Sequence, residues 1–171
     1  MPEQRKITQR TVSGSITELP PGSSPVMQRI LLGRGIQDPA ELSLALGDMQ
    51  RPDTLSGLEA AASLLADAVT EEQKILVVGD FDADGATGSA LAVLSLEAMG
   101  CKRVDFRVPN RFEFGYGLTV PLVETLSADP PDLLITVDSG INCVGGVARA
   151  RELGCSVIVT DHHLPGQVLP A

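Results

Sequence analysis

Four short apolar runs, Ile75–Gly79, Val104–Val108, Leu133–Val137 and Ser156–Thr160, punctuate the second half of the chain and begin 29, 29 and 23 residues apart. Each gap has room for a helix and its loops, and helical patterns occupy them at Ala86–Met99, Thr119–Leu126 and Val144–Leu153. Near-continuous apolar strands alternating with helices specify a parallel sheet with right-handed crossovers. Upstream, helical spacing recurs at Val26–Gly33 and again at Leu58, Ala61, Ala62, Leu65 and Val69, with Glu59, Ser63 and Asp67 on the opposite face. Residues 1–25 are rich in Ser, Thr, Pro and Gly and read as a flexible tail. The predicted organisation is a tail over 1–25, a helical preface over 26–72 and an α/β domain over 73–171, a parallel β-sheet flanked by helices.

Composition narrows what such a domain can do. With 43% hydrophobic residues the chain can bury a core, so disorder is excluded as its general state. A formal net charge of −9 argues against holding nucleic acid through bulk positive charge, so a polyanionic substrate must be gripped locally. The three cysteines, Cys101, Cys143 and Cys155, form no CxxC pair and fit reduced thiols in a cytoplasmic protein. No apolar stretch reaches about 18 residues, the length of a membrane span.

In open parallel sheets, ligands bind beyond the carboxyl ends of the strands. The segments just past the four runs are polar: Asp80-Phe-Asp82-Ala-Asp84-Gly85, Pro109-Asn110-Arg111, Asp138-Ser139-Gly140 and Asp161-His162-His163. Five carboxylates gathered at one edge would repel one another and raise their pKa values unless a cation neutralised them. Oxygen donors with one or two imidazoles favour Mn²⁺ or Mg²⁺ over a thiolate-seeking zinc site. Carboxylates in such number suit two ions about 3.5–4 Å apart, with Asp138 as the candidate bridge. The adjacent His162 and His163 are expected to diverge, one toward metal and the other toward phosphate. The helix opening near Ala86, after Gly85 and before Gly88, would aim its N–H groups and positive dipole end at the same edge.

Other readings of these residues stand beside this one. Asp80-x-Asp82-x-Asp84-Gly85 imitates a calcium EF-hand loop, but its twelfth position is Leu91, where a bidentate Glu is required. A haloacid-dehalogenase phosphatase also opens on Asp-x-Asp-Gly after a strand, yet leaves Asp161-His162-His163 without a purpose. Asp84 could simply cap the helix after it, Asp138 could form a turn, and Gly85 and Gly88 could serve packing alone. The five aromatic residues all lie between Phe81 and Tyr116, and Lys102, Arg103, Arg107 and Arg111 fall within that span. Arg111 could fork onto a phosphate while Phe112, Phe114 or Tyr116 meets a base or sugar, or these rings could cap the sheet edge.

Taken in order and spacing, Val77-Val-Gly-Asp80-Phe-Asp82-Ala-Asp84-Gly85-Ala-Thr87, Val108-Pro-Asn110-Arg111-Phe-Glu-Phe-Gly-Tyr-Gly117, Thr136-Val-Asp138-Ser-Gly140 and Val159-Thr-Asp161-His162-His163 resemble the four motifs of the DHH phosphoesterase superfamily. The Asn-Arg-Phe segment and the preface residues Arg34-Gly35, Pro39-Ala-Glu41-Leu and Leu55-Ser-Gly57-Leu are similar to its single-stranded-DNA-specific exonucleases. That resemblance implies 5′→3′ removal of mononucleotides from single-stranded DNA with Mn²⁺ or Mg²⁺, in DNA repair and recombination, with DNA-repair proteins as possible partners. It implies Asp82, Asp84, Asp138 and His162 as metal ligands and Asp80, Asp161 and His163 as the remaining catalytic shell. Asn110 and Arg111 would orient the DNA, with Gly85 and Thr87 at the phosphate. Val78 stands where some members carry a histidine, and Ser139 where the exonucleases often have Asn. The resemblance also calls for a downstream metal-binding aspartate and further DNA-gripping domains, so the chain is expected to be the amino-terminal catalytic portion of a longer enzyme, weak in Mn²⁺ binding and in activity by itself. The alternatives are a DHH phosphodiesterase acting on short oligonucleotides or cyclic dinucleotides, and a non-catalytic metal- or nucleotide-binding fragment.

Overall fold

The computed structural model describes residues 8, 11–14 and 23–170, which fall into two compact units, Met1–Leu55 and Ser56–Ala171. Most of the expected tail over 1–25 lies outside the described residues. In the first unit, α1 (Pro25–Gly33) starts where Ser24 Oγ accepts the Met27 N–H at 3.2 Å and Pro25 supplies a pre-set first helical residue. Three 3₁₀ turns come next, at Pro39–Leu42, Leu46–Asp48 and Pro52–Thr54. Reciprocal bonds between Asp38 and Glu41 cap the first of them. No residue of these four elements is buried.

The second unit contains α2 (Leu58–Thr70), β1 (Ile75–Val78), α3 (Ala83–Ala98), β2 (Val104–Arg107), α4 (Arg111–Phe114), α5 (Val120–Glu124), β3 (Leu133–Val137), α6 (Val144–Glu152) and β4 (Ser156–Thr160). All strand pairs are parallel, in the order β2-β1-β3-β4. The α/β class read from the apolar runs is therefore the observed one. Central β1 is buried along its whole length and β3 along all but its last residue, because both faces of a parallel sheet are covered. Period-two alternation divides the core: Leu76, Val78 and Leu134 meet Leu122, Val123 and Val147 beside α5 and α6, while Ile75, Val77, Leu133 and Ile135 meet Ala68 and Leu96 of α2 and α3. Helix α2 falls within the stretch read as preface, but its residues Ala61, Leu64, Leu65 and Val69 pack on this sheet's core.

This strand order sets where chemistry can occur. The chain leaves β1 toward β2 on one side, then returns to β3 on the other, so a crevice opens between the carboxyl ends of β1 and β3. Val78 pairs with Thr136, and two residues further on each strand stand Asp80 and Asp138. Val137 pairs with Thr160, so Asp138 and Asp161 are neighbours one step beyond. Register alone lines up three of the five acids.

Candidate metal and phosphate site

Local backbone chemistry aims each acid. Helix α3 begins three residues earlier than the sequence suggests, because Asp82 rather than Asp84 is its N-cap, accepting the Gly85 N–H on Oδ1 at 3.2 Å. Asp84 consequently sits exposed in the first turn, with its Oδ2 3.5 Å from His162 Nε2. Gly85 is required by proximity: a Cβ there would lie 2.6 Å from the Asp80 carbonyl oxygen. Asp138 has φ +60°, a left-handed conformation that Asp tolerates better than most residues, and Gly140 has φ +112° two residues later. The Asp138 N–H continues the ladder to Thr160 O at 3.0 Å, and Tyr116 Oη donates to the Asp138 carbonyl at 3.3 Å.

The two histidines do not diverge as an extended chain would make them. Asp161 Oδ1 accepts the His163 N–H at 3.0 Å, an Asx turn that curls the loop and carries both rings to Asp138. His162 Nε2 lies 2.8 Å, and His163 Nδ1 4.0 Å, from Asp138 Oδ1. Two sets of donors result, each mutually within 4.8 Å: Asp80, Asp82 and Asp138, and Asp138, His162 and His163. Asp138, only 8% exposed, belongs to both. Carboxylate and imidazole donors of this kind fit Mn²⁺ or Mg²⁺. Asp84 lies outside both sets, whereas Asp80 and His163, expected around the metal rather than on it, lie within them.

The expected upward drift of the acids occurs at Asp138, where burial pushes the carboxyl up and the Asp84 and Asp82 charges push the same way against the His162 hydrogen bond. Asp82 moves down instead, chiefly through the Gly85 N–H that it accepts. Burial works against the charge of Asp161, yet the Ile141 N–H, the His163 N–H and the His163 ring together hold its carboxyl below the usual range. Tyr116 is pushed up to about 12 by burial first and then by Asp80, Asp161 and Asp138, so its hydroxyl stays a donor.

The hydrogen bond that His163 Nδ1–H donates to Asp161 Oδ1 at 2.7 Å raises the His163 pKa above the ordinary imidazole value. Their tie therefore contributes stability fully below that ordinary value, about 6.5, and loses it as pH rises through the raised one. On the acid side the tie persists until pH falls through the lowered Asp161 value. In proton NMR titration of the metal-free protein the His163 imidazole is expected to titrate above the ordinary value, and Asp161→Asn is expected to bring it down. An unchanged titration in the variant would disprove the tie.

Beside these donors an open cavity of about 460 Å³ is lined by Asp80, Asp82, Arg111, Tyr116, Gly140, Asn142, Cys143, Asp161 and His163. Arg111 is brought here with its Nη2 3.9 Å from Asp80 Oδ1. Asn110 is not: its Oδ1 accepts the Phe112 N–H at 3.1 Å and caps α4. Thr87 turns its hydroxyl back to Ala83 O at 2.8 Å, as Ser and Thr do inside helices. Phe112, 97% exposed, and Phe114, packed on the core, stay off the lining, so of the three rings considered for a base only Tyr116 reaches it. Asn142 and Cys143 line it without any signal in the sequence beyond nearness to Asp138.

Residues 74–171 match the N-terminal domain of the DHH family. The chain is 45% identical over 171 residues, its whole length, to the single-stranded-DNA-specific exonuclease RecJ of Escherichia coli K12, of which it covers 30%. It is 48% identical over 157 residues, 90% of its length, to RecJ of Haemophilus influenzae, covering 27% of that protein. A crystal structure of exonuclease RecJ bound to manganese superposes with a TM-score of 0.63 at 43% identity, covering 68% of this chain and 30% of that one. The chain thus spans less than a third of the length of these relatives.

Proposed function

Because the chain belongs to the DHH family, we propose that it forms the metal- and phosphate-handling part of a single-stranded-DNA-specific 5′→3′ exonuclease of DNA repair and recombination, working in the cytoplasm with Mn²⁺ or Mg²⁺. The observation that carries this reading is Asp138, shared by a carboxylate set and an imidazole set whose members Asp80, Asp82 and His163 line a cavity that Arg111 borders. Similarity along nine-tenths or more of the chain to proteins described as single-stranded-DNA-specific exonucleases, of which it covers less than a third, supports the substrate.

Asp80, Asp82 and Asp138 would hold one divalent ion, and Asp138, His162 and His163 a second, with Asp84 beside His162. Bound there, such ions would supply charge neutralisation at phosphorus-bound oxygens and a lowered pKa for water. The protein groups do the rest. Arg111 offers fork-like donors to a phosphate oxygen. Asp161 holds His163 in place through two bonds, and Tyr116 pins the Asp138 main chain. In a chain of net charge −9, this site is where local sign reversal lets DNA approach.

Calorimetry with Mn²⁺, and then anisotropy with single-stranded, duplex and cyclic-dinucleotide ligands, tests the reading on the chain as it stands. Metal-dependent binding of single strands over duplex is expected. Preference for cyclic dinucleotides, or for oligomers of only a few residues in a length series, would favour the phosphodiesterase alternative. Nucleic-acid binding that ignores Mn²⁺ would sink both.

A further inference from the structure

The guanidinium of Arg111 stands over the Phe81 ring, its Cζ 3.6 Å from the ring centroid, with the Tyr116 centroid at 5.7 Å. Phe81 is 51% exposed, so its ring face is open at the surface. Its backbone is fixed by its own neighbour: Asp80 Oδ1 accepts the Phe81 N–H at 2.8 Å, and the same oxygen faces Arg111 Nη2 at 3.9 Å. One dipeptide therefore presents both a carboxylate and a ring face to one cation. A side chain with four rotatable bonds that is 45% exposed would otherwise sample many orientations. Cation–π attraction acts through the flat face of the guanidinium and leaves its N–H edge free for an incoming anion.

We infer that Phe81 is a positioning residue that holds the Arg111 guanidinium by its face, so that its N–H edge meets the phosphate at the 5′ end of a single strand. This rests on the exonuclease reading for the identity of the anion and on the contact geometry for the hold itself. Acting through Arg111, Phe81 matters for ligands that carry the phosphate and not for the remainder of the strand.

Two measurements separate these layers. In the ligand-free protein, the Arg111 Nε–H resonance is expected to be shifted by the Phe81 ring current, to lose that shift in Phe81→Leu and to regain it in Phe81→Tyr. In the presence of Mn²⁺, phosphorothioate-linked oligothymidylates with a 5′-phosphate or a 5′-hydroxyl are compared by anisotropy. Phe81→Leu is expected to weaken the phosphorylated strand about three- to tenfold and leave the hydroxyl strand unchanged, Phe81→Tyr to restore it, and Phe81→Leu to cost nothing further on Arg111→Met. Equal loss for both strands, persistence on Arg111→Met, or an unshifted Arg111 resonance overturns the positioning role. If the native protein binds neither strand while the resonance behaves as expected, the DNA reading fails and the hold of Phe81 on Arg111 stands. Amide spectra of both variants identify any loss of fold, and in that case the Tyr variant alone decides: its Arg111 resonance either keeps the ring shift or refutes the contact.

Discussion

Asp138→Asn is expected to abolish Mn²⁺ binding while leaving the metal-free protein as stable as before, or slightly more so. The two effects have different causes. Asp138 is the donor common to both candidate sets, so removing its charge weakens two ion sites at once, and a loss beyond about a hundredfold exceeds what a supporting residue gives. In the metal-free protein the same charge is a burden. Burial, with Asp84 and Asp82 nearby, raises the Asp138 pKa despite the His162 hydrogen bond, and an acid with a raised folded pKa destabilises the fold at pH above that value. Asn also tolerates the φ of +60° that position 138 requires, so the backbone need not move. Thermal melts check both halves. A ligand at a hundred times its Kd adds about 2.7 kcal/mol to the native protein; the variant should show no such gain and no lower midpoint without metal. A full Mn²⁺-dependent shift in the variant would remove Asp138 from the site.

The charge logic that singled out Asp138 was legible in the sequence because strand ends are marked by the end of an apolar run. The apolar runs Ile75–Val78 and Leu133–Val137 made a sheet covered on both faces legible as well, while which alternate residues face which layer is given by the structure. What could not be read is set by local hydrogen bonds rather than by pattern. Asp82 and Asp84 are equally good caps as residue types, and only the start of α3 decides between them. The convergence of His162 and His163 depends on a bond from the His163 N–H to Asp161, which adjacency by itself argues against. Asn110 and Thr87 occupy motif positions, yet Asn110 Oδ1 caps α4 and the Thr87 hydroxyl bonds back within α3. Nothing in the sequence pattern assigns Phe81 a partner; the position of Arg111 over its ring does.

Gly146→Ala is expected to be among the most destabilising single substitutions available in the chain, although it adds one methyl group to a helix. A Cβ on Gly146 would stand 1.7 Å from the Leu118 carbonyl oxygen and 2.7 Å from its carbon. Leu118 is fully buried in the layer shared with α5 and α6, and a backbone carbonyl cannot rotate aside as a flexible side chain can. Relief requires α6 to move outward, opening packing at Val147 and Ala150, which are buried on the same helix. Overpacking costs typically about 1–3 kcal/mol and occasionally more, and contact with backbone places this case at the upper end. The neighbouring glycine supplies the control. A Cβ on Gly145 would meet Val120 Cγ2 at 3.6 Å, an ordinary contact, and replacing Gly by Ala inside a helix favours it by up to about 1 kcal/mol. The two substitutions are chemically identical and adjacent in sequence, so denaturant melts of the pair isolate the contact itself. Gly145→Ala should match or exceed the native midpoint, and Gly146→Ala should fall well below it. Moving α6 would also drag Asn142 and Cys143, which line the cavity just ahead of that helix. Phosphate-dependent binding should therefore weaken in Gly146→Ala even where the protein remains folded, and equal midpoints for the two variants would disprove the close approach.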